Sequence, residues 1–172
     1  MDTYISIINQ NHRNHVSNFQ CNNKELNEFL RNDALEYQKL NLGMTYLLFN
    51  KNNEPISYVT LGMGALKIPN KEQFEFRGKK LKEYPKEFPN NFPALLIGKL
   101  ATNKSQENKG GAGILLDFSV KLALKVRKEM GCAYLIAHVY LESISWYEKK
   151  GFRTFISDTK KRDTIPMYLE LI

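Results

Sequence analysis

Residues 93–131, PALLIGKLATNKSQENKGGAGILLDFSVKLALKVRKEMG, constrain the fold more than any other stretch. An apolar run from Ala94 to Ala101 breaks into polar residues. Gly110, Gly111 and Gly113 follow, and apolar residues then return four apart at Ile114, Phe118, Leu122, Val126 and Met130. The pattern predicts a buried strand, a glycine-rich turn and a long amphipathic helix. Lys125, Arg127 and Lys128 suit the negative end of that helix, and Gly131 is its natural stop. Such a turn gathers backbone N–H groups at a helix N-terminus, where an anion binds well. Glycines let a ligand approach the backbone with no Cβ in the way, so Gly111 reads as a position of close approach to a phosphate. Lys109 adds charge. The spacing is neither G-x-x-x-x-G-K-[ST] nor G-x-G-x-x-G, which excludes a P-loop and a dinucleotide turn. On these residues alone, a flexible turn that binds nothing remains open.

The other elements arrange themselves around this unit. YISIIN alternates and predicts a first strand. NKELNEFLRNDALEYQKLN carries Leu26, Phe29, Leu30, Ala34, Leu35 and Tyr37 at helical spacing, with Asn22 or Asn23 as the cap. MTYLLFNKNNEPISYVTLGMGAL reads as a hairpin turning at Asn52, Asn53 and Pro55. KIPNKEQFEFRGKKLKEYPKEFPNNFP has no clean period and reads as a long surface excursion, possession of which is often functional in a compact domain. CAYLIAHVY is a strand, SISWYEKK a short helix ended by Gly151, and FRTFIS and TIPMYLELI are closing strands paired around DTKKRD. The expected fold is therefore α/β: a mixed, mostly antiparallel central sheet of about six or seven strands, flanked by helices on both faces. The whole chain, 1–172, is expected to form one domain.

Composition narrows the function. A net charge of +7 favours an anionic partner. The two cysteines, Cys21 and Cys132, form no C-x-x-C pair, so zinc is not expected, and they read as buried free thiols in a reducing cytosol. The N-terminus lacks the pattern of a signal peptide, and no apolar run reaches the ~20 residues of a membrane span. A cytoplasmic protein with no membrane partner is expected. There is no nucleophile elbow for a hydrolase and no RNP signature or zinc knuckle for an RNA-binding module.

SWYEKKGF, Ser145 to Phe152, completes a pattern. Together with Asn108, Lys109, Gly110, Gly111, Ala112 and Gly113, it resembles the GNAT family of acyl-CoA N-acetyltransferases, whose R/Q-x-x-G-x-G/A turn holds the coenzyme A pyrophosphate. Asn108 departs from the family's Arg or Gln, and Tyr140 stands where an Asn is frequent. A narrower resemblance joins SNFQCNNKELNEFLRNDALEYQ and PALLIGKLATNKS to the GNAT toxins of bacterial toxin–antitoxin pairs, through Phe19, Cys21, Leu26, Asn27, Phe29, Leu30 and Ala34. That resemblance implies acetyl-CoA as acetyl donor and the amino acid on a charged tRNA as acceptor. It also implies a block of translation, a ribbon-helix-helix antitoxin as partner, and a homodimer as one possible assembly. It places the coenzyme against Leu100, Ala101, Thr102, Asn108, Lys109, Gly110, Gly111, Ala112, Gly113, Ile114 and Ser143, with Tyr147 as the catalytic residue.

The chemistry gives each a task. A backbone N–H near Leu100 or Ala101 polarises the thioester carbonyl. Tyr147, a phenol with an ordinary pKa near ~10, keeps its proton at neutral pH and can give it to a departing thiolate that titrates near ~8.5. An α-amine, pKa ~7.7–8.0, needs only a weak base, whereas a lysine at ~10.4 needs a strong one. Glu142 reads as a helix cap before it reads as that base, and His138 as a sheet residue; His12 and His15 carry no motif. The rival readings are an acetyltransferase for small amines or protein lysines, and a GNAT-like binding domain without catalysis. A tRNA acceptor demands a basic face, for which Lys79, Lys80, Lys82, Lys86, Lys99, Lys104, Lys109, Lys149, Lys150, Lys160, Lys161 and Arg162 are candidates.

Overall fold

The structure is a computed structural model describing residues 2–68, 74–84, 91–155 and 162–172. Its backbone forms two compact units, Met1–Gly62 with Ile97–Lys121, and Met63–Leu96 with Leu122–Ile172. A six-stranded, mostly antiparallel sheet runs in the order β1-β2-β3-β6-β7-β8. The strands are β1 Thr3–Ile7, β2 Met44–Asn50, β3 Pro55–Lys67, β6 Asn91–Thr102, β7 Tyr134–Tyr140 and β8 Thr164–Glu170. β4 Glu75–Phe76 and β5 Lys79–Lys80 form a separate ribbon. The pairs β1–β2, β2–β3 and β7–β8 are antiparallel.

In the first unit, β2 and β3 form the expected hairpin. Asn50 Oδ1 accepts from the backbone N–H groups of Asn52 and Glu54, and Asn53 takes a left-handed φ of 61°. Pro55 starts β3 instead of sitting in the turn. Every residue from Pro55 to Leu61 is buried, which requires cover on both faces of the strand. One cover is the N-terminal helical segment: α1 Arg13–Ser17, α2 Lys24–Glu28, a π-helical turn Phe29–Asp33 and α3 Ala34–Lys39. Tyr58 meets the rings of Phe19 and Phe29 and donates its hydroxyl to the Leu26 carbonyl at 2.7 Å. The other cover is α4, Gly111–Glu129, whose Phe118 packs on Tyr46 of β2.

The toxin-like motif of the N-terminal segment is structural. Asn23 caps α2 through the Leu26 N–H. Asn27 is buried and closes a ring with Cys21, accepting from its N–H at 2.7 Å and donating to its carbonyl at 3.0 Å. Phe19, Leu26, Phe29, Leu30 and Ala34 are core residues. Tyr37 is not, being exposed on α3 beyond the π turn.

On α4 the apolar row is shifted from expectation. Beyond Gly111 the buried positions are Leu115, Leu116, Ser119 and Ala123, whereas Ile114 and Met130 are exposed, Met130 at 76%. Residues four apart drift ~40° around a helix at each step, so a row of five cannot hold one face. Gly131, φ 80°, ends the helix as expected.

In the second unit, the long excursion is less of a surface loop than its composition suggests. Phe74 and Leu81 are buried with Leu66, Phe92, Tyr134 and Ile136. β6 starts at Asn91, three residues before its apolar run. Arg77 and Gly78, both with positive φ, turn the β4–β5 ribbon, and Arg77 is anchored by its N–H to Glu170 and its guanidinium to the Leu171 carbonyl. β8 pairs with β7; of the strand expected at FRTFIS, the described part makes one bridge, Arg153 to Tyr168, and residues 156–157 lie outside the described residues. Both cysteines are buried free thiols, each pushed upward in pKa by burial. Among the described residues, no helix is long and apolar enough to cross a membrane.

Candidate active site

The glycine turn is fastened before it begins. At the end of β6, Thr102 Oγ1 and Ser57 Oγ are 2.9 Å apart. The next two N–H groups donate outward, Asn103 to the Ile56 carbonyl and Lys104 to the Gln20 carbonyl, each at 2.7 Å. Asn103 caps a short 3-10 turn, Lys104–Gln106, through the Ser105 N–H. The chain then reverses through two left-handed residues, Asn108 at φ 61° and Gly110 at φ 86°. Asn is among the side chains that best tolerate that region, so Asn108 suits its φ. A Cβ on Gly110 would meet nothing within 4 Å; its glycine is required by φ alone.

Gly111 has a packing reason for its missing Cβ that the sequence did not show. An ideal Cβ there would stand 2.5 Å from Ser57 Oγ and 2.9 Å from Ile56 Cγ2. The close approach at 111 is therefore between α4 and β3, and replacing Gly111 disturbs the packing of the fold. The first-turn N–H groups of Gly111, Ala112 and Gly113 have no intrahelical acceptor, as in any helix, while Ile114 N–H already bonds the Gly110 carbonyl. Ile114 is exposed beside them. The cradle thus has three amides at the positive end of a 19-residue helix, reached through an open left-handed turn. Such a helix N-terminus favours an anion. The Lys109 ammonium is held by the turn itself, donating to the Ser105 carbonyl at 3.1 Å. Of the strand residues assigned to the coenzyme, Ala101 is buried and Leu100 and Thr102 half-buried, with the Thr102 hydroxyl engaged by Ser57.

Tyr147 and Ser143 lie in the second unit. Ser143 ends a 3-10 turn, Leu141–Ser143, that leads into α5, Ile144–Lys149. Tyr147 is 7% exposed, set edge-on to Trp146 at 5.0 Å and Phe152 at 5.1 Å. Its carbonyl accepts from the Lys150 and Phe152 N–H groups, and Gly151 makes the left-handed stop. Burial pushes the Tyr147 phenol well above its ordinary pKa; the group is an acid that holds its proton. Glu142 is exposed and makes no capping bond, against its expected role. His138 is exposed on β7.

The lysines divide. Lys79, Lys80, Lys82, Lys104, Lys149 and Lys150 are exposed, while Lys86, Lys160 and Lys161 lie outside the described residues. Lys99 is not open surface: its ammonium pairs with Glu25 at 2.6 Å. Sequence reasoning missed Ser57 and that ion pair. A serine inside the apolar run PISYVTL was the available signal for the first; nothing local signals the second.

No family model matches the chain. Solved structures do. A Tyr-to-Phe variant of KacT superposes with a TM-score of 0.82 at 17% identity, covering 99% of this chain and 96% of that one. AtaT complexed with acetyl-methionyl-tRNAfMet gives 0.78 at 18% identity, covering 98% and 95%, and AtaTR bound with acetyl-CoA gives 0.74 at 16% identity, covering 99% and 94%. The chain has the GNAT fold, shared over nearly its whole length with these structures.

Proposed function

We propose that the chain is a cytoplasmic, acetyl-CoA-dependent N-acetyltransferase that acetylates the α-amine of an aminoacyl-tRNA and so blocks translation, as the toxin of a toxin–antitoxin pair. The observation that carries the reading is the set of free amides at the head of α4, which packs on β3 at Gly111. It suits the coenzyme diphosphate. Acetyl-CoA supplies an activated acetyl group. In this reading the β6 amides near Leu100 and Ala101 align the pantetheine arm and polarise the carbonyl. Tyr147 gives its proton to the thiolate: one N–C bond forms, one C–S bond breaks, the amine's proton passes to solvent, and Tyr147 takes a proton back from solvent. The solved neighbours supply context for the substrate and partners, since AtaT has been solved with acetyl-methionyl-tRNAfMet and with the C-terminus of the antitoxin AtaR. The charge of +7 suits an RNA acceptor. A ribbon-helix-helix antitoxin and a homodimer belong to the same proposal.

The test is direct. The protein is incubated with labelled acetyl-CoA and total charged tRNA, beside the same tRNA stripped of amino acids. Label on the charged pool alone supports the proposal. Label on polyamines or protein lysines, with the charged pool unlabelled, replaces it with the small-amine or protein acetyltransferase reading. Coenzyme binding without transfer to any acceptor leaves a non-catalytic domain.

A further inference from the structure

Residues along a strand alternate between its faces. Thr102 and Ser57 share the face on which the first turn of α4 rests. Lys99, three residues earlier on β6, points to the opposite face, where Phe29 and Tyr58 stack. Its side chain is 27% exposed, its ammonium lies 5.7 Å from the Phe29 ring centroid, and Glu25 of α2 pairs with it at 2.6 Å. A cation is thus held immediately before Leu100, on the face of β6 away from the anion cradle.

We infer that Lys99, positioned by Glu25 and Phe29, binds the phosphate next to the esterified amino acid of the acceptor RNA. The inference rests on the acceptor named above and deepens it. If the donor's diphosphate is held on the α4 face, the acceptor amine comes to the thioester from the other side. An amino acid esterified to a terminal nucleotide carries a phosphodiester within one nucleotide's length of its amine. An ion pair whose Glu25 side chain is 64% exposed is weak enough to be exchanged for that phosphate. Phe29 meanwhile keeps the lysine stem in place. A compact ammonium serves a phosphate as a point charge, so the site sets acceptor preference and transfers no proton.

The test compares wild type with Lys99→Gln and Lys99→Arg on two acceptors: charged tRNA, and the methyl ester of the same amino acid, which has the α-amine but no phosphate. In Lys99→Gln the preference for charged tRNA over the ester, as a ratio of kcat/KM values, falls about tenfold, the worth of one charged hydrogen bond. The slope of log affinity for tRNA against log salt falls by about 1, and Lys99→Arg restores both. Equal losses on the two acceptors mean that Lys99 only supports the strand, and an unchanged preference means no contact; either overturns the inference. If wild type acetylates neither acceptor, the proposed function fails. Filter binding of tRNA to wild type and Lys99→Gln still reads the phosphate contact, and identical salt slopes there overturn it.

Discussion

Gly111→Ala adds one methyl group at the glycine of the first unit where an added Cβ would come nearest to a neighbour. The new Cβ would stand 2.5 Å from Ser57 Oγ and 2.9 Å from Ile56 Cγ2. Neither neighbour yields easily. Ser57 is fully buried and bonded to Thr102, and the Ile56 methyl is attached at its own Cβ. Overpacking of this kind costs ~1–3 kcal/mol. Helix propensity returns at most ~1 kcal/mol for Gly to Ala, and less in a first turn. The net loss should be about 1–2 kcal/mol. Ser57→Ala removes the nearer clash and one hydrogen bond, costing ~0.5–1.5 kcal/mol alone. The double variant should therefore be more stable than the sum of the singles predicts, by about 0.5–1.5 kcal/mol. Urea unfolding followed by circular dichroism gives all four stabilities, and calorimetry with coenzyme A below the transition gives affinity separately. The double variant should still bind coenzyme A, since its first-turn amides are unchanged. The reasoning is refuted if Gly111→Ala unfolds at the wild-type midpoint yet binds no coenzyme. The close approach would then be to the ligand.

Three further outcomes are expected. Tyr147→Phe keeps coenzyme affinity but lowers turnover by ~10²–10⁴-fold; because burial raises the phenol's pKa, the wild-type rate should show no alkaline loss from this group below pH ~10, and a variant at full turnover would remove Tyr147 from the chemistry. Asn27→Ala leaves the N–H and carbonyl of Cys21 without their partner and should cost ~1–3 kcal/mol for each buried group left unsatisfied; a urea midpoint equal to wild type would show that the ring with Cys21 is dispensable. His12 is held below its ordinary 6.5 by burial and then by His15, and its Nδ1 accepts from the Asn9 N–H at 3.2 Å. The unfolded chain takes up this proton first as pH falls, so the group's contribution is present above 6.5 and is lost as pH drops through the lower folded value. His12→Gln keeps an acceptor for the cap and should lose less stability than wild type as pH falls below 6.5, read from thermal midpoints.

What the sequence disclosed follows from the range of each interaction. Hairpins, caps and helix stops are local, and Asn23, Asn53, Gly131 and Gly151 all act where their residue types suggest. The strand–turn–helix unit was legible because its signal spans fewer than forty residues. The shifted stripe on α4 was not, since which side of a helix is buried depends on the sheet beneath it. The role of Gly111 was hidden for the same reason: a missing Cβ says that something comes close, but not what. Only the partner strand, more than fifty positions earlier, identifies Ser57. Lys99 and Glu25 are 74 positions apart, and neither stands out among so many charged residues.

Ser57 gives these facts a common cause. One small hydroxyl joins β3 to the end of β6 through Thr102, and lies against Gly111, the first residue of α4. The connection between β6 and α4 is also tied by the N–H groups of Asn103 and Lys104 before it turns left-handed at Asn108. The turn is thus fixed by contacts within the protein, which would keep the ordering cost of the proposed coenzyme binding small. Its amides are aimed by packing that a single methyl group disrupts. On the other side of the same strand, Lys99 is held by a pair weak enough to let go. The proposed donor site is fixed and the proposed acceptor contact is exchangeable, a division suited to one small nucleotide that must be oriented and one large RNA that must be released.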